Sequence, residues 1–234
     1  MRILSFFLLF FGILDPGYGQ ALNYDNIFGD DWRKASVYVT ENREWMEPYL
    51  EKNNIPYPEA IAVIFPELVR YSSLRDKMEI SILKTLYVNL GETYANFSIG
   101  VFQMKPSFAA YIREESKPVS GKYSEITFKK SKNYDDIRDF RKEIVADLED
   151  PAQQLKYLAA FFFLCEKKYR VSRMDESDRI KFLAAAYNCG IDKDRKSIEE
   201  MTGKKFFNTK LFRTENYSYA DVSLYWYNQN KTEK

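Results

Sequence analysis

The chain has 234 residues, with 35 Lys and Arg against 34 Asp and Glu, so nothing in its charge favours nucleic acid as a partner. It contains no histidine, which excludes a Ser-His-Asp triad, a Cys-His pair and the zinc sites that need imidazole. Acid–base chemistry must therefore come from carboxylates, Lys, Tyr or Cys. Glycoside cleavage is the reaction class that proceeds with carboxylates alone.

The first residues have the pattern of a secretory signal peptide. Arg2 is followed by an apolar run from Ile3 to Leu14, a Pro-Gly break, and the small residues Gly17 and Gly19. The run is shorter than the ~20 apolar residues of a membrane-spanning helix, and no later stretch is long and apolar enough. We therefore expect cleavage after Gly19, giving an exported domain of residues 20–234 without stable membrane insertion. Retention as a membrane anchor is the alternative.

Most of the remaining chain repeats its apolar residues at helical spacing. The pattern predicts helices at residues 42–53, 57–71, 74–90, 105–115, 134–148, from Asp150-Pro151 through AAFFFLC, 176–188, 197–201 and 215–228. Pro66 is expected to bend the second of these, and the helix after Asp150 is expected to be the central buried one. Residues 117–133 are predicted to form a polar loop with a short β-like piece at 125–129. These elements make one mainly α-helical globular domain.

Two cysteines, Cys165 and Cys189, lie near the ends of successive predicted helices. In an antiparallel hairpin they would be offset by about eight residues, or ~12 Å along the helix axis. That offset exceeds the Cα separation that a disulfide tolerates. We interpret both as small buried hydrophobic residues, with a disulfide as the alternative.

A glutamate in an apolar stretch is the first candidate for acid–base chemistry. Glu67 lies late in the segment IAVIFPELV, where its carboxyl is expected to lose contact with water. Loss of hydration raises the pKa of a carboxyl, and a proton donor to a glycosidic oxygen requires a raised pKa. The alternatives are a Glu67 side chain that faces solvent or one that forms an ion pair with Arg70.

Two later segments offer groups suited to binding sugars. In SIGVFQMKPS, Gly100 permits close approach of the backbone to a ligand, and the Gln103 amide both donates and accepts hydrogen bonds. In AAAYNCG, Tyr187 and Asn188 present a phenol and an amide at the end of a helix. The alternatives are an ordinary loop leading into a helix and an ordinary helix C-cap.

Together and in this order, the three segments resemble the motifs of the lytic transglycosylases of bacterial cell walls. That family has a Glu at the end of an apolar helix, then G-L-M-Q-x-x-P, then A-Y-N-A-G. Here the matching segments are AVIFPEL with Glu67, GVFQMKP at Gly100–Pro106 and AYNCG at Ala186–Gly190. The last helix, NYSYADVSLYWY, is similar to the family's closing Tyr-Val element. The likeness spans residues 57–228.

The resemblance implies a mainly α, lysozyme-like fold with minimal β structure, shared with goose-type lysozyme. It implies cleavage of peptidoglycan between N-acetylmuramic acid and N-acetylglucosamine, with Glu67 acting first as acid and then as base to form a 1,6-anhydro ring. It also implies a bacterial periplasmic protein, expected to be a monomer, that acts on glycan strands without a metal or an organic cofactor. The residues expected to bind the sugars are Ser98, Gly100, Gln103, Tyr187 and Asn188.

Two features depart from the family pattern. Leu68 replaces the Ser that usually follows the catalytic Glu, and Gln103 follows Glu67 by 36 positions, about twice the family's spacing. The inserted segment, residues 72–92, adds acidic residues that could supply the acid or a second carboxylate: Asp76, Glu79 and Glu92. A lysozyme-like hydrolase with two carboxylates therefore stays open, as does an inactive peptidoglycan-binding scaffold.

Overall fold

The computed structural model describes the chain in four ranges: residues 22–73, 77–116, 126–209 and 215–231, with the backbone alone at 72–73 and 77–80. The helices in these ranges are α1 Tyr24–Phe28, α2 Asp30–Lys52, α3 Tyr57–Ser73, α4 Lys77–Leu90, α5 Pro106–Glu115, α6 Ile137–Glu149, α7 Pro151–Tyr169, α8 Glu176–Cys189, α9 Arg195–Met201 and α10 Tyr219–Asn230. Two single turns of 3-10 helix lie at Ser131–Asn133 and Val171–Arg173. The two strands, β1 Lys205–Phe207 and β2 Tyr217–Ser218, pair antiparallel.

The mainly α-helical architecture predicted from the apolar spacing is confirmed for the residues that the structure describes. None of the helices in those ranges combines the length and the apolar character needed to cross a bilayer. The predicted signal peptide, residues 1–19, lies outside the described ranges, as does the first part of the predicted polar loop, residues 117–125.

The structure adds helical residues at the start of the domain that the spacing analysis did not predict. Helix α2 begins at Asp30, not at residue 42, and α1 precedes it. Aromatic side chains four positions apart stack on one another along α1 and the start of α2. Tyr24 stacks on Phe28 at 6.1 Å between ring centroids, and Phe28 stacks on Trp32 at 6.4 Å. Aromatic residues at that spacing lie on one helix face, so this signal was present in the sequence.

Two predictions about extended structure and helix ends were wrong. The described part of the β-like piece, residues 126–129, forms no strand. The last helix begins at Tyr219 and not at residue 215, because the two residues before it pair with β1. The Ser218 hydroxyl then accepts a hydrogen bond from the backbone N–H of Asp221 at 3.1 Å, which caps the first turn of α10.

Helix α3 is the central helix, and the prediction that α7 would be central was wrong. Helix α3 packs against α2, α8 and α10, whereas α7 packs against α5, α6 and α8. Every side chain from Ala60 to Phe65 has no exposed surface. This stretch contains no charged residue between Glu59 and Glu67, so the helix is buried on all sides.

A proline lies inside α3 directly before Glu67. The helix continues through Pro66 to Ser73, although proline removes one backbone donor from this turn. The carbonyl of Val63, in the same turn, accepts a hydrogen bond from the Tyr219 hydroxyl at 3.0 Å. The carbonyl that loses its helical donor to Pro66 is that of Ala62, so the side chain from α10 contacts the neighbouring carbonyl of the same turn.

The two cysteines carry free thiols in different environments. Cys165 is fully buried in α7, as predicted for a small hydrophobic residue. Cys189 is half-buried at the end of α8, where it borders a cleft, so the prediction of a buried residue was wrong there.

Asp150 caps the start of α7, with Pro151 at the first helical position, as predicted. Its Oδ1 accepts a hydrogen bond from the backbone N–H of Ala152 at 2.8 Å. Removing such a cap leaves a backbone donor unsatisfied, so Asp150→Ala is expected to lower the free energy of unfolding by about 1 kcal/mol in urea titrations. Asp135→Ala, at an exposed position outside the helices, should change it by less than about 0.5 kcal/mol. Equal losses in the two variants would contradict this role.

Candidate active site

A cleft of about 780 Å³ opens beside the second half of α3. Its walls come from α3, the segment between α4 and α5, α5 itself, the end of α8 and β1. Five of the six residues predicted to form the site lie on this cleft: Glu67, Ser98, Gln103, Tyr187 and Asn188. Segments that are far apart in the sequence therefore meet at one opening.

Glu67 is the buried carboxyl of the cleft, with 4% of its surface exposed. Nη1 of Arg70, one turn later on α3, lies 3.2 Å from both carboxyl oxygens. From α8, Nδ2 of Asn188 donates a hydrogen bond to Oε1 at 3.3 Å. Glu67 is therefore both buried at the cleft and paired with Arg70, which the sequence analysis had treated as alternatives.

Burial raises the pKa of Glu67 above the usual value of a glutamate. The charge of Arg70, the hydrogen bond from Asn188 and the charge of Lys105 act in the opposite direction but do not cancel the effect of burial. The carboxyl therefore keeps its proton to higher pH than an exposed glutamate does. A proton donor that works near neutral pH needs this property.

The other acidic residues of the cleft have more water around them. Glu92, one of the alternatives from the inserted segment, lines the cleft with an exposed side chain, and Asp192 is also exposed. Asp76 and the side chain of Glu79 lie outside the described residues. Glu114 of α5 is half-buried on the cleft, and hydrogen bonds from Ser131 lower its pKa in spite of burial. Among the described carboxyls on the cleft, Glu67 is therefore the one whose environment suits a proton donor.

Gln103 lies in a tight loop between α4 and α5. The backbones of Ile99 and Met104 exchange hydrogen bonds of 2.9 and 3.1 Å across this loop. Gln103 has a positive φ of 51°, and its Nε2 donates to the Gly100 carbonyl at 2.7 Å. The Gln103 amide was predicted to bind sugar, but one of its hydrogens is therefore already used in a hydrogen bond within the loop.

Gly100 is not among the residues that line the cleft, and the position of its missing side chain faces the end of α6 and Gln154 of α7. A Cβ at this position would lie 2.2 Å from Nε2 of Gln154 and 2.3 Å from the Leu148 carbonyl oxygen. Gln154, which none of the sequence motifs indicated, is fully buried. It donates to the Ile99 carbonyl at 2.8 Å and accepts from the Phe102 N–H at 3.1 Å. Gly100 allows the loop to approach α7, and Gln154 holds it there.

Tyr187 contributes its ring to the cleft, but its hydroxyl is turned inward. The hydroxyl donates to the Phe102 carbonyl at 2.8 Å, and 8% of the residue is exposed. The phenol therefore supports the loop instead of being presented to substrate, which corrects the predicted role. Asn188 is half-buried and directs its amide to Glu67. The helix ends one residue later at Cys189, and Gly190, with φ 109°, is its C-cap.

Aromatic side chains from α5 and β1 on the cleft were not identified from the sequence. Phe108 and Tyr111 come from α5, and Phe206 of β1 is 38% exposed. Exposed rings beside hydrogen-bonding groups suit the apolar faces of sugar rings. Phe206 gave no sequence signal because its strand is three residues long. In the described ranges, no group of three or more Cys, Asp or Glu side chains is placed to hold a metal ion.

The three motif segments are also connected to one another at the cleft. Asn188 joins α8 to Glu67 of α3, and Tyr187 joins α8 to the loop that carries Gln103. The arrangement offers a proton donor, amide groups and aromatic surface at one opening. A comparison of the chain with models of protein families, with curated proteins and with solved structures found no match.

Proposed function

We propose that the protein is a peptidoglycan lytic transglycosylase with a lysozyme-like fold, acting in the bacterial periplasm. The observation that carries this proposal is the buried carboxyl of Glu67, which borders an open cleft and has a raised pKa. The order of the three motifs in the sequence supports the same reaction class. The chemistry requires one carboxyl and neither a metal nor an organic cofactor.

In the proposed reaction, protonated Glu67 donates its proton to the oxygen that links N-acetylmuramic acid to N-acetylglucosamine. The C1–O bond breaks through an oxocarbenium-like transition state, and the acetamido group of the muramoyl sugar stabilises C1. Ionised Glu67 then removes the proton from the C6 hydroxyl, whose oxygen bonds to C1 and closes the 1,6-anhydro ring. Glu67 ends protonated, so the group is ready for another cycle.

The surroundings of Glu67 suit both halves of this cycle. Burial favours the protonated form that begins the reaction, while Asn188 and Arg70 contact the oxygens that carry charge after the first step. Ser98 and Gln103 lie on the cleft with polar side chains, and Phe206 adds exposed ring surface. We assign these three residues to sugar binding.

A lysozyme-like hydrolase is the second candidate, because the exposed carboxylate of Glu92 lies on the same cleft. A second carboxylate can position water or form an adduct with the sugar, which would give a reducing end instead of an anhydro ring.

Digestion of purified sacculi, with the products resolved by mass, tests the proposal. We expect muropeptides with 1,6-anhydromuramyl ends. Products one water heavier, with reducing ends, would establish the hydrolase instead. Binding to sacculi without release of fragments at any pH would contradict both enzymes and favour a scaffold.

A further inference from the structure

Arg70 contacts Glu67 in a way that the sequence motifs do not specify. Its Nη1 lies 3.2 Å from both carboxyl oxygens, so one nitrogen bridges the whole carboxyl group. The residue directly after Glu67 is Leu68, which is buried and has no polar side-chain atom to offer. Within α3, the polar contact to the Glu67 carboxyl therefore comes from Arg70, one turn further along the helix, and not from the residue that follows Glu67.

Arg70 is itself held in place by the sheet. Its guanidinium lies over the ring of Phe207 in β1, with Cζ 4.9 Å from the ring centroid. Phe207 has no exposed surface, so this ring is fixed by the core. The Arg70 side chain is 29% exposed and lies on the cleft, between Glu67 and the sheet. Contacts on two sides restrict the guanidinium to the position beside the carboxyl.

The other groups that act on Glu67 come from three further parts of the fold. Lys105, at the start of α5, is a second cation but is exposed and makes a weaker contribution. Tyr187 of α8 and Tyr219 of α10 interact with Glu67 electrostatically, and burial raises the pKa of both phenols so that they stay neutral. Asn188 supplies a neutral hydrogen bond. Arg70 is therefore the principal positive charge beside the carboxyl.

We propose that Arg70 is a positioning residue that stabilises ionised Glu67 between the two proton transfers and orients its carboxyl oxygens. Its effect on turnover rests on the proposed function, whereas its effect on the charge of Glu67 does not. Without Arg70, only the Asn188 hydrogen bond and the charge of Lys105 would oppose the effect of burial, so the ionised form needed for the second step would be more strongly disfavoured.

The decisive test measures the proton on Glu67 directly, without substrate. In NMR titrations of protein carrying ¹³C-labelled glutamate, Glu67→Gln identifies the Glu67 resonance. Arg70→Met is expected to raise the pKa of Glu67 by about 1–3 pH units, because it removes an opposite charge in contact with the carboxyl. Arg70→Lys, which keeps the charge, should leave the titration closer to wild type, and Lys105→Met should shift it less than Arg70→Met. An unchanged titration in Arg70→Met would overturn the proposal.

Turnover provides the second readout. In Arg70→Met, the decline of kcat/KM at high pH should move upward with the pKa of Glu67, and kcat should fall about tenfold or more. Arg70→Lys, which keeps the positive charge, should recover most of the kcat that Arg70→Met loses. If Arg70 acted only through packing, restoring the charge would not restore kcat. Should Arg70→Met fail to fold, Arg70→Gln replaces it as a neutral variant that keeps a hydrogen-bond donor.

The two proposals can fail separately. A shifted titration together with wild-type activity of Glu67→Gln would leave the electrostatic role of Arg70 intact and contradict the proposed function. An unshifted titration together with an inactive Glu67→Gln would contradict the role of Arg70 and leave the function standing.

Discussion

Glu67→Gln is expected to release muropeptides from purified sacculi about 10²–10⁴-fold more slowly than the wild-type protein while remaining folded. Glutamine has the size of glutamate and fits the same space beside Asn188, but it can neither donate nor take back the proton. The change therefore removes the chemistry with little effect on the packing of α3. Release of products should be followed by mass, and folding by circular dichroism.

The matched control for this prediction is Glu92→Gln, which changes an exposed carboxylate on the same cleft. A transglycosylase that uses Glu67 alone should keep nearly full activity in this variant, whereas a two-carboxylate hydrolase that uses Glu92 should lose it. Release at the wild-type rate by Glu67→Gln would refute the assignment of the acid.

The pH dependence of stability gives a further check on Glu67. Because burial raises its pKa in the folded state, the folded protein binds this proton more tightly than the unfolded chain does. The resulting stabilisation is fully present below the pKa of the unfolded carboxyl and is lost as pH rises through the higher folded pKa. Glutamine does not titrate, so the wild-type protein should lose stability relative to Glu67→Gln across that window in urea titrations. A difference that stays constant with pH would contradict a raised pKa.

Gly100→Ala is expected to lower the free energy of unfolding by about 2–5 kcal/mol. Two costs combine: an alanine at φ 72° is strained, and its Cβ would lie 2.2 Å from Gln154 and 2.3 Å from the Leu148 carbonyl. The loop must therefore move away from the end of α6 and from the Gln154 side chain of α7, or these helices must shift. Denaturant unfolding measures the loss, and displacement of the loop should also reduce any activity that depends on Gln103.

Two other glycines separate these costs. Gly29 has a positive φ of 55° but open space around it, so Gly29→Ala should show the strain alone. Gly203 has neither a positive φ nor a neighbour within 4 Å, and Gly203→Ala should be nearly neutral. A loss in Gly100→Ala no greater than that in Gly29→Ala would show that the loop is not packed against Gln154.

The helices were largely predictable because their signals are local. Apolar spacing and end signals located α3, α5 and α8 within two residues, and the cap at Asp150 located the start of α7. The strands were not predictable, since β1 and β2 have three and two residues and depend on each other across the intervening chain. The central helix was misidentified because α7 has exposed residues at both ends, whereas α3 has an unbroken stretch without exposed surface from Ala60 to Phe65.

The site was predictable only in part, because several of its contacts join elements that are far apart in the sequence. Motif order indicated Glu67 and Asn188, which the structure brings within hydrogen-bonding distance. The inward hydroxyl of Tyr187 and the buried amide of Gln154 could not be predicted, because their partners lie on other elements. Such contacts depend on how the helices cross, and apolar spacing carries no information about crossing.

The hydrogen bond from Tyr219 to the turn before Glu67 joins positions 156 residues apart in the chain. Contacts of such long range slow folding, because closing the intervening chain costs conformational entropy before the contact is gained. The turn that carries Glu67 is therefore completed only when α10, the last described helix, packs against α3.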